Sequence, residues 1–287
     1  MNENNFDYEN APVTVSRREL FRQSGIAALV AAPAVGALLP SEARAQLFGK
    51  PSVDQQKQLG REAAQQTLQK YREVRDSRAT HFREIGAKLI SGLSPEDQRK
   101  WDYTFRVLES DEVNAFALPG GPMFLFTGLY KLMNTDDQVA AVTGHELGHV
   151  RMEHWAKASA KAQERQVGLA IGLSIFKVGR AGQTVAGLAN SIIGLKYSRS
   201  EEDEADEKGL ANLVSAGFSP QGMVDLFQTL NKVSGGGGKG GFGGEVLSDH
   251  PQTSTRIRKT QERIAAYTAR GLQFPQPTPF SYQRLLS

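Results

Sequence analysis

Five histidines are all that the 287 residues hold: His81, His145, His149, His154 and His250. Two of them bracket the pentapeptide His145-Glu146-Leu147-Gly148-His149. On a helix, residues i and i+4 share a face, so both imidazoles aim at one point. Glu146 follows about 100° further round, beside a metal held there rather than on it. From that position its carboxylate can take a proton from the water that the metal activates, which is the chemistry of metal-assisted hydrolysis. Cysteine is absent. Disulfides, thiolate ligands and thiol nucleophiles are thereby excluded, and any transition metal must be held by imidazole and carboxylate. The plainer reading of the pentapeptide is two half-exposed helix histidines with a salt-bridging glutamate.

Two ligands do not make a catalytic zinc site; three protein ligands and a water do. The chain continues Val150-Arg151-Met152-Glu153-His154, so no third histidine arrives at the H-x-x-G-x-x-H spacing. A carboxylate from a later helix is then the expected third ligand. The acidic run from Glu201 to Glu207 offers several. A charge run is usually a solvated face, and spacing alone does not choose among its members.

The segment Tyr197-Ser198-Arg199-Ser200-Glu201-Glu202-Asp203-Glu204-Ala205-Asp206 resembles the S-R-x-x-E-x-x-A-D signature of the HtpX/BepA-like zinc metalloproteases, peptidase family M48. Three further stretches agree in the same order. Asn114 to Gly121 (NAFALPGG) resembles that family's strand and turn, Gly128-Leu129 follows it, and Asp249-His250-Pro251 with Arg256-Ile257 resembles its closing element. The resemblance covers roughly residues 54–265. It implies Glu202 as the third ligand of one zinc ion, and Asp206 behind a ligand histidine, orienting it. His250 is either a donor to the tetrahedral oxyanion, a fourth ligand that closes the zinc, or an exposed loop histidine. Arg256 orients His250 or pairs with the acidic helix. His81 and His154 are expected to be structural or on the surface.

Several elements must position these groups. Thr135-Asp136-Asp137-Gln138 is a capping box, predicting a helix from near Asp136 to about Gln163. Alternation over Tyr103–Leu108, with Asn114–Leu118 and Met123–Thr127 either side of the turn Pro119-Gly120-Gly121-Pro122, predicts a small antiparallel sheet. Helix-favouring sequence runs from Asp54 to roughly Ser91, and Ser94-Pro95 reads as a cap and first-turn proline. A further helix from roughly Arg199 should stop at Gly217, with Ser219-Pro220 opening the next. The expected fold is α+β and mainly helical: a zincin-like domain with a short antiparallel sheet beside the HExxH helix.

Outside that domain the chain reads differently. Ser16-Arg17-Arg18-Glu19-Leu20-Phe21-Arg22, the weakly apolar run Gly25–Pro40 and Ala43-Arg44-Ala45 make an export signal over residues 1–45. The arginine pair resembles the twin-arginine consensus, with Leu20 and Phe21 in reversed order. The mature part then divides into a catalytic domain over 46–267, whose first part (46–100) is helical, and a tail over 268–287. Residues 166–196 are apolar and Gly-rich, but neither half is long enough to span a bilayer. They are expected as a buried or interface helix pair, with a membrane hairpin as the second reading and peripheral membrane contact as a further one. A net charge of +3 spread over 23% charged residues leaves no basic stripe for nucleic acid. The function expected is zinc-dependent endopeptidase, acting in the periplasm on unfolded or misassembled envelope proteins, with Asn114, Ala115 and Phe116 taking the substrate as an added strand. The alternative from another class is a chaperone-like binding protein whose zinc site is closed.

Overall fold

The helices around the HExxH segment start where side chains can satisfy their orphan amides. In the computed structural model, which describes residues 49–164, 192, 195–235, 250 and 254–286, Ser52 and Gln55 form a capping box at the start of α1 (Val53–Lys70). A short strand β1 (Glu73–Val74) separates it from α2 (Ser77–Ser91), so the helix-favouring stretch is two helices, the second capped by Asp76. Ser94 and Pro95 open α3 (Pro95–Lys100) as expected. Strands β2 (Thr104–Leu108), β3 (Ala115–Ala117) and β4 (Pro122–Phe126) follow, then the one-turn helix α4 (Thr127–Tyr130). The HExxH helix is α5 (Asp136–Arg151), with Thr135 and Gln138 in the reciprocal arrangement their spacing predicts.

That helix stops twelve residues short of the expected end. It closes at Arg151, Glu153 takes a left-handed φ of 55°, and α6 (His154–Glu164) starts in a new direction. A non-glycine residue there is unfavourable unless held. The Glu153 carboxylate is held by Lys50 at 2.8 Å, Lys100 at 3.0 Å and Gln56 at 3.0 Å, all distant in sequence.

The sheet is mixed, with order β1-β2-β4-β3. Antiparallel pairing holds for β3–β4, but β2 and β4 run parallel, Thr104 opposite Pro122 through Leu108 opposite Phe126. The turn explains it. Gly120 (φ 84°) and Gly121 (φ 118°) sit against the start of β2, where Asp102 N–H donates to Gly120 at 2.8 Å. A Cβ on Gly121 would lie 2.9 Å from the Asp102 backbone. With the turn anchored at that end, β4 must leave in the direction of β2, and β3 becomes an edge.

Helix α7 (Arg199–Ser215) starts near Arg199 and reverses at Gly217 (φ 71°), as expected, and its start is held by a Ser198–Glu201 capping box. It crosses α5 at backbone distance: a Cβ on Gly148 would lie 2.8 Å from the Ala205 carbonyl oxygen. Helices α8 (Gln221–Gly235) and α9 (Ser254–Ala269) pack alongside, with a 3-10 turn at Tyr282–Leu286. Buried Asp137 ties three segments together, accepting the Ser219 amide at 2.6 Å and the Thr278 amide at 2.7 Å. One apolar cluster, with Leu147, Leu213 and Phe227, fills the space between α5, α7, α8 and the sheet; another, with Phe116, Phe124, Phe126 and Trp155, lies beneath α1. Residues 50–287 form one compact unit. The expected export signal over 1–45, most of 166–196, and the Gly-rich 236–249 lie outside the described residues.

Candidate metal centre

The four turns of α5 carry His145 and His149 into the middle of the domain, where they are 5% and 4% exposed. Their Nε2 atoms lie 3.1 Å apart. Opposite them α7 presents residues at i and i+4, Glu202 and Asp206, both buried. Glu202 Oε1 is 3.5 Å from His149 Nε2 and Glu202 Oε2 is 3.6 Å from His145 Nε2. His250 completes the group: its Nδ1 stands 2.7 Å from Glu202 Oε1 and 3.3 Å from His145 Nε2. His250 is 6% exposed, so the exposed-loop reading of it is excluded.

One donor atom from each of His145, His149, Glu202 and His250 falls within 4.8 Å of every other. The shorter of these separations are those of a tetrahedral shell, in which bonds of ~2.0–2.1 Å put donors roughly 3.3 Å apart. Glu202 Oε2 is buried and accepts no hydrogen bond, although Arg256 NH1 lies 3.1 Å away. A buried carboxylate oxygen left without a hydrogen bond is unusual. Imidazole nitrogens and a carboxylate also suit zinc, so donor set and spacing both fit.

The acidic run is sorted by helix phase. Glu201 is spent on the cap, its carboxylate accepting the Ser198 amide at 2.7 Å. Asp203 faces α9 and pairs with Lys259 and Arg263, each at 2.9 Å. Glu204 turns towards α6 and meets His154. Only Glu202 reaches the histidine cluster, with Asp206 one turn behind it, accepting from His145 Nδ1 at 2.9 Å. Arg256 grips Asp206 with two nitrogens, at 2.8 and 2.6 Å, so it pairs with the acidic helix.

Burial and neighbours set the charge states. Burial would raise Asp206, but Arg256 and His145 outweigh it and hold the carboxyl at about 2. Glu146 is pushed up by burial, against the pull of His250 and His145. His149 is held well below its ordinary value by burial, then by the other histidines. Burial also works against Glu202 ionising, yet its hydrogen bond to His250 and nearby charges keep it low.

Glu146 stands off the donor cluster. Its Oε2 accepts the Ala117 amide at 2.9 Å, while Oε1 faces His250 Nε2 at 3.8 Å. That amide is on the edge strand. Leu118 N–H donates to Pro122 and Phe126 N–H to Asn114. Alternation along the antiparallel pair therefore turns Phe116 towards β4 as well, and leaves the backbone groups of Ala115 and Ala117 pointing away from the sheet. Phe116 is buried against Phe124, with ring centroids 5.1 Å apart. Of the three residues expected to take substrate, only Ala115 turns its backbone groups away from β4, and it is itself just 4% exposed. Ala117 belongs with it, and no side chain signals that in the sequence.

His154 is no surface residue. It is fully buried, with Nδ1 2.9 Å from His149 Nδ1 and Nε2 2.9 Å from Glu204. His81 is structural, half-buried and 2.9 Å from Asp136. Tyr197, which begins the matched signature, stacks on His149 with centroids 4.2 Å apart.

An HExxH helix beside a small sheet, with a later helix bringing a carboxylate, defines a zincin-like domain. The profile of Peptidase family M48 matches residues 76–264, and the chain belongs to that family. It is similar to Metalloprotease YcaL of Escherichia coli (strain K12), 34% identical over 166 residues, 56% of this chain and 62% of the relative. It is similar to Mitochondrial metalloendopeptidase OMA1 of Schizosaccharomyces pombe (strain 972 / ATCC 24843), 30% identical over 218 residues, 75% of this chain and 63% of the relative. The Beta-barrel assembly-enhancing protease of Escherichia coli (strain K12) is 26% identical over 266 residues, 85% of this chain and 53% of that protein. The chain thus spans between about half and two thirds of the length of these relatives.

Proposed function

We propose that the chain is a zinc-dependent endopeptidase acting on unfolded or misassembled envelope proteins. One observation carries the reading: a buried carboxylate, Glu146, is held by an edge-strand amide immediately beside a convergent set of imidazole and carboxylate donors. His145, His149 and Glu202 would hold one zinc ion, with Asp206 and Arg256 fixing His145 and Glu202 from behind. Zinc bound there would supply Lewis acidity for the scissile carbonyl and the attacking water. Glu146 accepts that water's proton on Oε1 while the Ala117 amide holds Oε2, then passes it to the leaving amine. The substrate lies as an extra strand along β3, pairing with the outward groups of Ala115 and with the Ala117 carbonyl. This mode reads backbone more than side chains and therefore favours unfolded segments. A relative named for enhancing β-barrel assembly supports envelope proteins as the substrate class.

A second reading has one observation in its favour. His250 Nδ1 occupies the remaining corner of the donor set, 3.3 Å from His145 Nε2. A zinc closed by four protein ligands suits a binding protein that holds unfolded chains. Chelator-sensitive hydrolysis of casein by the purified protein supports the peptidase; casein binding without cleavage, in wild type and in His250→Ala alike, supports the holder.

The SRRELFR segment supports export to the periplasm by the twin-arginine route. Replacing Arg17 and Arg18 by Lys should leave precursor in the cytoplasm, and fractionation that finds the variant exported as before would reject that route. No helix among the described residues is long and apolar enough to cross a membrane. Contact of residues 166–196 with the bilayer surface is the remaining proposal on location.

A further inference from the structure

The two imidazoles of the HExxH helix are supported differently. His145 Nδ1 donates directly to a carboxylate, Asp206. His149 Nδ1 instead meets a third imidazole, His154, at 2.9 Å, and His154 Nε2 in turn lies 2.9 Å from Glu204 Oε2. The geometry points to His154 as a positioning residue for the metal centre, which with Glu204 fixes the proton and ring orientation of His149. This inference rests on the metal-site reading above.

With a metal ion in the cluster, one arrangement of protons fits. His149 Nε2 faces the other donors, His145 Nε2 at 3.1 Å and Glu202 Oε1 at 3.5 Å, and as a ligand it would offer its lone pair there. Its proton then sits on Nδ1 and is donated to His154. His154 Nδ1 must accept, so the His154 proton sits on Nε2 and is donated to the Glu204 carboxylate. Reversing the chain would aim an N–H at the donor cluster. Tyr197 stacks on the His149 ring and removes its remaining freedom to tilt.

The backbone is bent to make this contact. On an unbroken helix His154 would lie five residues, about 140° round, from His149 and could not meet it. The left-handed turn at Glu153, held by Lys50, Lys100 and Gln56, folds His154 back under its neighbour.

Partners of this kind are worth ~10–100-fold in metal affinity when they orient a ligand. Zinc affinity by competition with a chromophoric chelator, the d–d spectrum of the cobalt-substituted protein, and long-range 15N–1H NMR of the zinc-loaded protein test it together. His154→Phe, which keeps a ring and loses the acceptor, should weaken zinc about 10–100-fold and shift the cobalt bands. His154→Asn, which restores an oxygen acceptor near the Nδ1 position, should recover most of that affinity. Wild-type His154 should carry its proton on Nε2. If His154→Phe does not fold, the tautomer and a weakening of zinc in Glu204→Gln decide the matter. Wild-type affinity and spectrum in a folded His154→Phe, or a His154 proton on Nδ1, overturns the relay while leaving the metal site standing. A wild-type protein that binds no zinc overturns the metal-site reading itself.

Discussion

On the proposed mechanism, Glu146 is the residue where metal binding and chemistry separate. Glu146→Gln keeps the side-chain volume and can still accept the Ala117 amide, so both imidazoles and the zinc stay in place. The base is what disappears. Hydrolysis should fall about 10²–10⁴-fold, roughly 3–5 kcal/mol of barrier, with zinc content and melting temperature near wild type. A zinc-loaded variant that cuts peptides at the native rate removes Glu146 from the mechanism. Register on α7 is a second residue-scale test. Glu202→Ala should lose stoichiometric zinc, whereas Glu204→Ala should keep it with a weaker constant, because Glu202 alone of the acidic run reaches the cluster. Zinc lost from the Glu204 variant and kept by the Glu202 variant would put the match off register. The pentapeptide was legible because i and i+4 on a helix converge whatever surrounds them. Glu202 and Asp206 needed the family resemblance, since phase within a charged helix depends on which face meets α5. The Ala117 amide had no signal, being backbone, and the sequence leaves His154 open between a structural and a surface place because its position depends on a turn that neither Gly nor Pro announces.

At the scale of elements, local signals were legible and tertiary ones were not. Ser94 and Thr135 cap their helices, and Gly217 ends α7, by local contacts and backbone freedom that the sequence announces. The end of α5 at Arg151 depends instead on Lys50, Lys100 and Gln56 arriving from elsewhere to hold Glu153. The parallel β2–β4 pair likewise depends on where the glycine turn docks, a tertiary fact. Burial would raise the Glu153 carboxyl, but hydrogen bonds from Lys50, Gln56 and Lys100 bring it down to about 2. A depressed folded value means stability present above the ordinary value and lost as pH falls through the folded one. Urea midpoints of wild type and Glu153→Gln should therefore differ most above pH 4.5, and the gap should narrow steadily towards pH 2. A gap that is constant across that window would mean the Glu153 charge does not hold the turn.

For the whole molecule, the candidate metal centre is also a structural junction. His145 and His149 come from α5, Glu202 and Asp206 from α7, Arg256 from α9, and His250 from the segment before it. Each is buried, and a buried charge is tolerated only while its partners stay in place. A zinc ion bound to the folded chain and not to the unfolded one stabilises it by mass action, about 4 kcal/mol at 1,000 times the dissociation constant. For a domain of this size each kcal/mol moves the midpoint by ~2–4 °C, so zinc should raise the melting temperature by roughly 8–16 °C at that excess. The rise should grow with the logarithm of free zinc. His145→Ala removes a ligand and also strands Asp206 and Arg256, so it should start lower and respond little to zinc. Glu146→Gln should respond like wild type, since its carboxylate stands outside the donor set. Scanning calorimetry across a buffered zinc series checks all three at once. A wild-type midpoint that does not move with zinc would mean that the four donors do not act as a metal site in the folded protein, whatever their spacing.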